Sequence, residues 1–344
     1  MYNDIRLEKG LYNLSGKSFT AALEELDPSA AYSGTPLENL DAFERQLKRF
    51  NIRINGSDCD CVEKFFSTTE SAVLFPEFVT RSIRKGFNET ILGTICAVKT
   101  VCSSGQYLGC ELDDTDEYET TAQAALLPEA TVTESETAVT LAKYGRLISA
   151  SYEAVRHQRL DVFGVMLRSI GVRLAANVVN QAVTVLAADA QGTETEETTL
   201  AYSDLANLYG CFTDFDMTTV IASPDNAALI AAMKEVKECN SVQNGRIVLP
   251  LGAELIKCAS ASDTKIIGID RSFALEFITS TDLVMETDKL IDRQLDQITV
   301  SITCGFKKIT PDAVKVLTIK SAGGNDDNGG DDNNGGDNAE QGQE

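Results

Sequence analysis

The sequence has no tryptophan and one histidine, and sets 30 basic against 52 acidic residues, a formal net charge of −22 over 344 residues. Each scarcity argues against a class of function. His157 stands between Arg156 and Arg159 with no nucleophile motif beside it, so it reads as a surface histidine rather than a catalytic one. A protein that grips nucleic acid through phosphates needs a basic face. No Lys/Arg-rich run with interleaved aromatics occurs, which argues against direct nucleic-acid binding. There is no GxGxxG or GxxxxGK[ST] loop to cradle a phosphate. No apolar run follows a basic start, so neither a secretory signal nor a membrane anchor is expected, and the chain is expected to remain in the cytoplasm that makes it.

The nine cysteines are odd in number and irregular in spacing, unlike a disulfide framework. Cys96, Cys211, Cys258 and Cys304 sit in apolar or alternating contexts, where a reduced thiol behaves as a small hydrophobe. Cys59-Asp60-Cys61 is the one close pair, with no second pair or histidine at zinc-ligand spacing. The run Asp113-Asp114-Thr115-Asp116-Glu117 lacks the turn glycine and closing spacing of a calcium loop and reads as a solvated acidic face. No catalytic residue, metal or cofactor is therefore expected.

What is present is organised around one long helix, expected over about Arg159 to Asp189 and ending at Gln191-Gly192-Thr193. Apolar residues recur at Val162, Met166, Ile170, Leu174, Val178 and Ala182, with a second row at Phe163, Leu167, Val179 and Leu186. At 1.5 Å per residue such a helix is roughly 40 Å long, and no other segment could partner it in a bundle. It therefore reads as the backbone of a mixed α+β subunit. Arg168, Arg173, Asn177, Asn180 and Gln181 make it a poor membrane span. Gly164 and Gly171 are read as sites of close packing against another backbone.

Taken in order, the chain begins with short segments punctuated by Gly10, Gly16, Pro28, Gly34, Pro36 and Gly56, read as an extended arm. Within it Leu37, Leu40, Phe43, Leu47 and Phe50 form one apolar face opposite Glu44, Arg45, Lys48 and Arg49. A helix that short needs another surface, in the same subunit or in a neighbour. Gln106 to Glu119 and Glu129 to Leu141 read as a long two-stranded flap with no core of its own. Glu111 to Glu136 carries nine acids and no base, among them Glu111, Asp113, Asp114, Asp116, Glu117, Glu134 and Glu136. Residues 199 to 290 read as a compact α/β unit, with Ser223-Pro224-Asp225 starting a helix over Asn226 to Cys239. Ile298 to Phe306 alternates as a half-buried strand, and Thr310-Pro311-Asp312 turns into a last strand, Val314 to Ile319. Gly323 to Glu344 has no apolar face to bury and reads as disordered.

From about Leu40 to Ile319 this order resembles the major capsid protein of tailed bacteriophages, the fold first described for phage Hong Kong ninety-seven. The resemblance is carried by LFPEFVTRSIRKG (Leu74 to Gly86), by the stretch Leu147 to Thr193, and by ITVSITCGFKKITPDAVKVLTI (Ile298 to Ile319). It implies an N-arm over 1–62, a first part of the P-domain over 63–104 and an E-loop over 105–142. The P-domain with its spine helix follows over 143–198, then an A-domain over 199–290, closing P-domain strands over 291–320 and a disordered acidic tail over 321–344. It also implies a structural protein that self-assembles into pentamers and hexamers of an icosahedral shell. Such a shell encloses double-stranded DNA without sequence-specific contact, is built in the bacterial cytoplasm and forms part of the virion. A separate scaffolding protein, a portal and a maturation protease are the implied partners, with no membrane. Some relatives crosslink through an E-loop lysine, but none lies between Lys99 and Lys143, so that chemistry is not expected here. Leu40, Phe43, Leu47, Phe50 and the acids of the flap are the candidate assembly residues. The alternatives are an encapsulin, a cargo-holding compartment of the same fold, and more remotely a soluble enzyme.

Overall fold

The computed structural model describes residues 2–320 apart from 15–16, 114–119, 126, 128, 240–241, 244 and 291–294; the expected acidic tail lies outside the described residues. Two helices form the floor of the larger body. Leu74–Asn88 buries Leu74, Phe75, Phe78, Val79, Ile83 and Phe87, one face of a 3.6-residue repeat. It lies along the long helix, Leu160–Ala187, which buries Leu160, Phe163, Leu167, Gly171, Leu174, Val178 and Ala182. The two backbones touch at glycines. A methyl on Gly86 would stand 2.0 Å from the Arg168 carbonyl oxygen, and one on Gly171 would stand 2.1 Å from that of Ile83. At Gly164 a methyl would meet only Phe78 Cζ at 3.7 Å and Ser82 Oγ at 3.9 Å, so the close-packing reading holds at Gly171 and fails at Gly164.

One apolar row expected to be covered is partly bare. Val162 and Met166 are about half exposed, as is Val165, while Phe163 and Leu167 are buried. In its first half the helix packs one flank against Leu74–Asn88, and no other described residue covers its opposite apolar flank. By length and composition this helix could cross a membrane, with a mean hydropathy of 1.5. Its polar residues do not exclude that. Its packing against Leu74–Asn88 and Leu295–Lys308 accounts for its buried apolar residues, and Val162, Val165 and Met166 stay exposed.

Over the helices lies a five-stranded sheet built on Leu295–Lys308. That strand pairs with Ala142–Ser151 along one side, Ile298 opposite Ile148 and Ile302 opposite Tyr144. Its other side is shared by Val284–Leu290 and Leu275–Thr279, and Val98–Val101 lies parallel to the latter. The second body is a seven-stranded sheet in the order Gly192–Glu194, Val314–Thr318, Lys265–Ile269, Thr219–Ala222, Glu254–Lys257, Arg246–Val248, Val242–Gln243. Tyr202–Gly210 and Pro224–Ala232 pack on it around Leu205, Leu208, Val220, Ile230, Ile266 and Leu317. The helix expected over Asn226 to Cys239 breaks at Met233, whose extended backbone separates Pro224–Ala232 from Lys234–Glu238.

The two sheets do not respect the boundary drawn at residue 290. Leu275–Thr279 and Val284–Leu290 belong to the first sheet, because Leu295–Lys308 is long enough to pair with both. Val314–Thr318 belongs to the second, between Gly192–Glu194 and Lys265–Ile269.

The N-terminal segment also differs from an extended arm. It folds into helical turns and two helices, Phe19–Leu26 and Ala42–Arg49, whose Phe19, Leu23, Phe43 and Leu47 enter the same core as the long helix. Ala42–Arg49 opens with a capping box in which Asp41 and Glu44 exchange side-chain-to-backbone hydrogen bonds. Arg45, assigned from the sequence to the polar face, is fully buried. Its Nε donates to Asp27 Oδ2 at 2.5 Å and its Nη2 to the Asp27 carbonyl at 2.6 Å. Nη1 reaches Leu40 O and Ser29 Oγ, and the guanidinium stacks over Tyr32. Every guanidinium nitrogen donates within the segment, which lets a charge sit in the core.

All nine cysteines are free thiols. Cys258 and Cys304 are buried, and burial pushes the Cys96 and Cys304 thiols up to about 12, which keeps both protonated at neutral pH. Their surroundings suit packing rather than reactivity.

Candidate assembly surfaces

Two surfaces include the candidate residues, and a third, apolar one includes none of them. The first is the seam between the N-terminal segment and the helix Leu74–Asn88. Glu77, buried in that helix, accepts from Thr20 Oγ1 at 2.6 Å and from Arg81 Nε at 2.9 Å. Arg81 also donates to Asp41 Oδ2 at 2.5 Å and stacks over Phe43. Tyr12 Oη donates to the Val73 carbonyl and accepts from the Glu77 amide; burial, reinforced by the Glu77 charge, raises its pKa. Phe43 and Leu47 are consumed inside the subunit, 2% and 4% exposed, whereas Leu40 and Phe50 are half-buried. Only the latter two keep surface to offer a neighbour.

The second surface is the acidic hairpin. Cys110–Asp113 pairs antiparallel with Thr131–Glu134, and Gln106–Tyr107 pairs with Val139–Thr140. Glu111, Glu134 and Glu136 are exposed on it. Asp113 ends the first strand, while Asp114, Asp116 and Glu117 lie outside the described residues. Leu112 stands opposite Val132, and both are about two-thirds exposed. Sequence reading missed this apolar pair, because isolated Leu and Val among Thr and Glu look like ordinary strand alternation.

The base of the hairpin is held by two polar anchors. Glu276 accepts from Tyr107 Oη at 2.9 Å and from Thr100 Oγ1. Glu111 accepts from Ser135 Oγ at 2.5 Å and from Lys307 Nζ at 3.2 Å, and Ser135 is buried. Gly305 makes room for the hairpin: a methyl there would lie 2.9 Å from both Leu141 Cδ2 and Val139 Cγ1. The Ser135 hydrogen bond and then the Lys307 charge hold the Glu111 carboxyl below its usual range. A carboxylate with a depressed pKa contributes its stability above its unfolded value and loses it as pH falls through the lowered folded value. The anchor should therefore be intact at neutral pH and loosen only in acid. Lys307→Met should leave the sheet folded while amide exchange across residues 106–113 and 131–140 rises at neutral pH; unchanged exchange would show that this anchor carries no weight.

The third surface is the bare flank of the long helix, Val162, Val165, Met166 and Val172, beside Arg168 and Arg173. His157 is exposed at its foot, 3.9 Å from Glu63. Among the described residues no cluster of three metal-ligating side chains occurs.

Residues 133–299, just under half of the chain, match the family described as phage capsid protein. No curated protein sequence matches. Among solved structures, the capsid of a native GTA particle superposes with a TM-score of 0.53 at 13% identity, covering 69% of this chain and 91% of that one. The capsid of an empty GTA particle gives 0.52 at 12% identity, over 67% and 90%. This chain has the capsid-shell fold. The same fold is seen in the holo-SrpI encapsulin complex from Synechococcus elongatus PCC 7942, with a TM-score of 0.50, 13% identity and coverage of 67% and 90%.

Proposed function

We propose that this chain is the major capsid protein of a tailed phage or prophage, assembling as pentamers and hexamers into an icosahedral shell around double-stranded DNA. The observation that carries the reading is the pair Leu112 and Val132, exposed on a hairpin without a core. A lone ribbon of this kind is marginal unless it lies on another surface. The bare flank at Val162, Val165 and Met166 offers apolar cover, and the exposed Arg173 beside it complements the carboxylates of the hairpin. Within one subunit the hairpin is anchored to the sheet, so the surface it covers is that of a second copy. Closed symmetry then completes every subunit through its neighbours. The shell would assemble in the bacterial cytoplasm with a separate scaffolding protein, portal and maturation protease, and would enclose DNA without gripping it.

Leu112→Glu with Val132→Glu tests this directly. The double variant should keep the circular dichroism spectrum and melting temperature of the wild-type subunit and form no closed particles by electron microscopy. Normal particles from that variant would refute the hairpin contact.

An encapsulin is the second reading, favoured by one observation: the N-terminal segment is a folded, helical part of the body rather than a loose arm. Neighbouring genes separate the two. Terminase, portal and protease would support a phage, and a ferritin-like or peroxidase partner an encapsulin.

A further inference from the structure

Asparagine is among the chemically labile residues, because the backbone nitrogen that follows it stands within reach of its side-chain amide carbon. Glycine hinders that attack least, having no Cβ beside the nitrogen. The sequence holds four Asn-Gly pairs, and Asn55-Gly56 is the one with both residues described. Both are exposed, in a bend between the helix Ala42–Arg49 and the foot of the long helix. Gly56 has a φ of +96°, and a methyl on it would meet nothing within 4 Å. Asn55 lines an open cavity of about 250 Å³, so no wall crowds its side chain. Among the described residues, neither the Asn55 side chain nor the Gly56 amide is held by a hydrogen bond. The fold grips Gly56 at its other end. Its carbonyl accepts from the Cys59 amide at 3.2 Å and from Arg159 Nη2 at 3.1 Å. Asn226 is the contrast: it is 5% exposed, is followed by Ala227, and its Nδ2 donates to the Asp263 carbonyl at 2.8 Å.

We propose that Asn55 is a site of self-modification, with water as the co-reactant. The Gly56 nitrogen loses its proton to solvent base and bonds to Asn55 Cγ, and the side-chain nitrogen leaves as ammonia. Water then adds to one carbonyl of the five-membered imide and breaks that carbonyl's bond to nitrogen, which leaves aspartate or isoaspartate. The sum is one water consumed and one ammonia released, with nothing oxidised or reduced. The product carries one more negative charge. In its isoaspartyl form it also has one more backbone carbon, placed where the N-terminal segment meets the foot of the long helix. The proposal rests on this loop and not on shell formation.

The test incubates the full-length chain in heavy-oxygen water at neutral and mildly alkaline pH, beside a synthetic peptide of residues 51–58. Peptide mapping by mass spectrometry reads the label residue by residue, which keeps the four Asn-Gly pairs apart. Label is expected to accumulate at Asn55 with time, faster at the higher pH, and to include isoaspartate, while Asn226 stays unlabelled. Asn55→Gln should lose the label at this site and keep the circular dichroism spectrum of the wild type. An unlabelled Asn55 once the peptide is fully converted would overturn the proposal, since the fold would then protect the pair. Equal labelling of Asn226 would overturn it too, by tracing the reaction to unfolded chain. So would the same label in chain digested without incubation.

Discussion

Replacing Arg45 with alanine is expected to destabilise the subunit by about 3–5 kcal/mol, the usual result of leaving one buried ion without its partner. The guanidinium is fully buried and Asp27 is 3% exposed. Removing the side chain strands that carboxylate, the Asp27 and Leu40 carbonyls, Ser29 Oγ and the Tyr32 ring together. Lysine at this position should recover little, because an ammonium cannot reproduce a planar fork that meets acceptors on several sides. Lys48→Ala, an exposed change on the same helix, should stay within about 0.5 kcal/mol of wild type. Denaturant midpoints of the unassembled subunit measure all three. If the Arg45 variant matches the Lys48 one, the N-terminal segment is a loose arm after all and its core contacts are dispensable.

Gly171→Val should be at least as damaging, and Gly171→Ala nearly so. Overpacking a filled core costs about 1–3 kcal/mol or more, and here the atom in the way is a backbone oxygen that cannot rotate aside. Relief requires the helices Leu74–Asn88 and Leu160–Ala187 to move apart, which opens the apolar seam along their whole contact. Gly86→Ala meets the mirror-image obstacle at the Arg168 carbonyl. Gly164→Ala is the internal control. It meets only ordinary van der Waals neighbours and removes a helix-interior glycine, so it should stabilise by up to about 1 kcal/mol. Melting temperatures of Gly164→Ala and Gly171→Ala should therefore move in opposite directions. Movement in the same direction would contradict the described helix contact.

Parts of this fold are legible in the sequence because one periodicity dominates them. The long helix and the strand around Ile298 to Phe306 carry repeats of 3.6 and 2, and their boundaries come within a few residues of Leu160–Ala187 and Leu295–Lys308. Elsewhere local pattern misleads. Arg45 falls on the charged side of a short helix by pattern, and only tertiary contacts with Asp27 and Tyr32 reveal it as a core residue. Val162 and Met166 share the spacing of a buried row, yet whether a row is covered depends on which flank the partner helix packs against. Val284–Leu290 shows no alternation that marks a strand, since only Val284, Met285 and Leu290 of its seven residues are apolar. The hairpin is visible as an acidic stretch without a core, but its anchors at Glu276 and Lys307 come from distant segments and have no local signature.

The central claim is that this subunit is completed by copies of itself. The most direct measurement is negative-stain electron microscopy, with light scattering, of the purified full-length chain expressed alone and with its neighbouring genes. Closed shells, or rings of five and six subunits, are the predicted result. A monodisperse monomer under every condition, including co-expression with the scaffolding neighbour, would contradict the account.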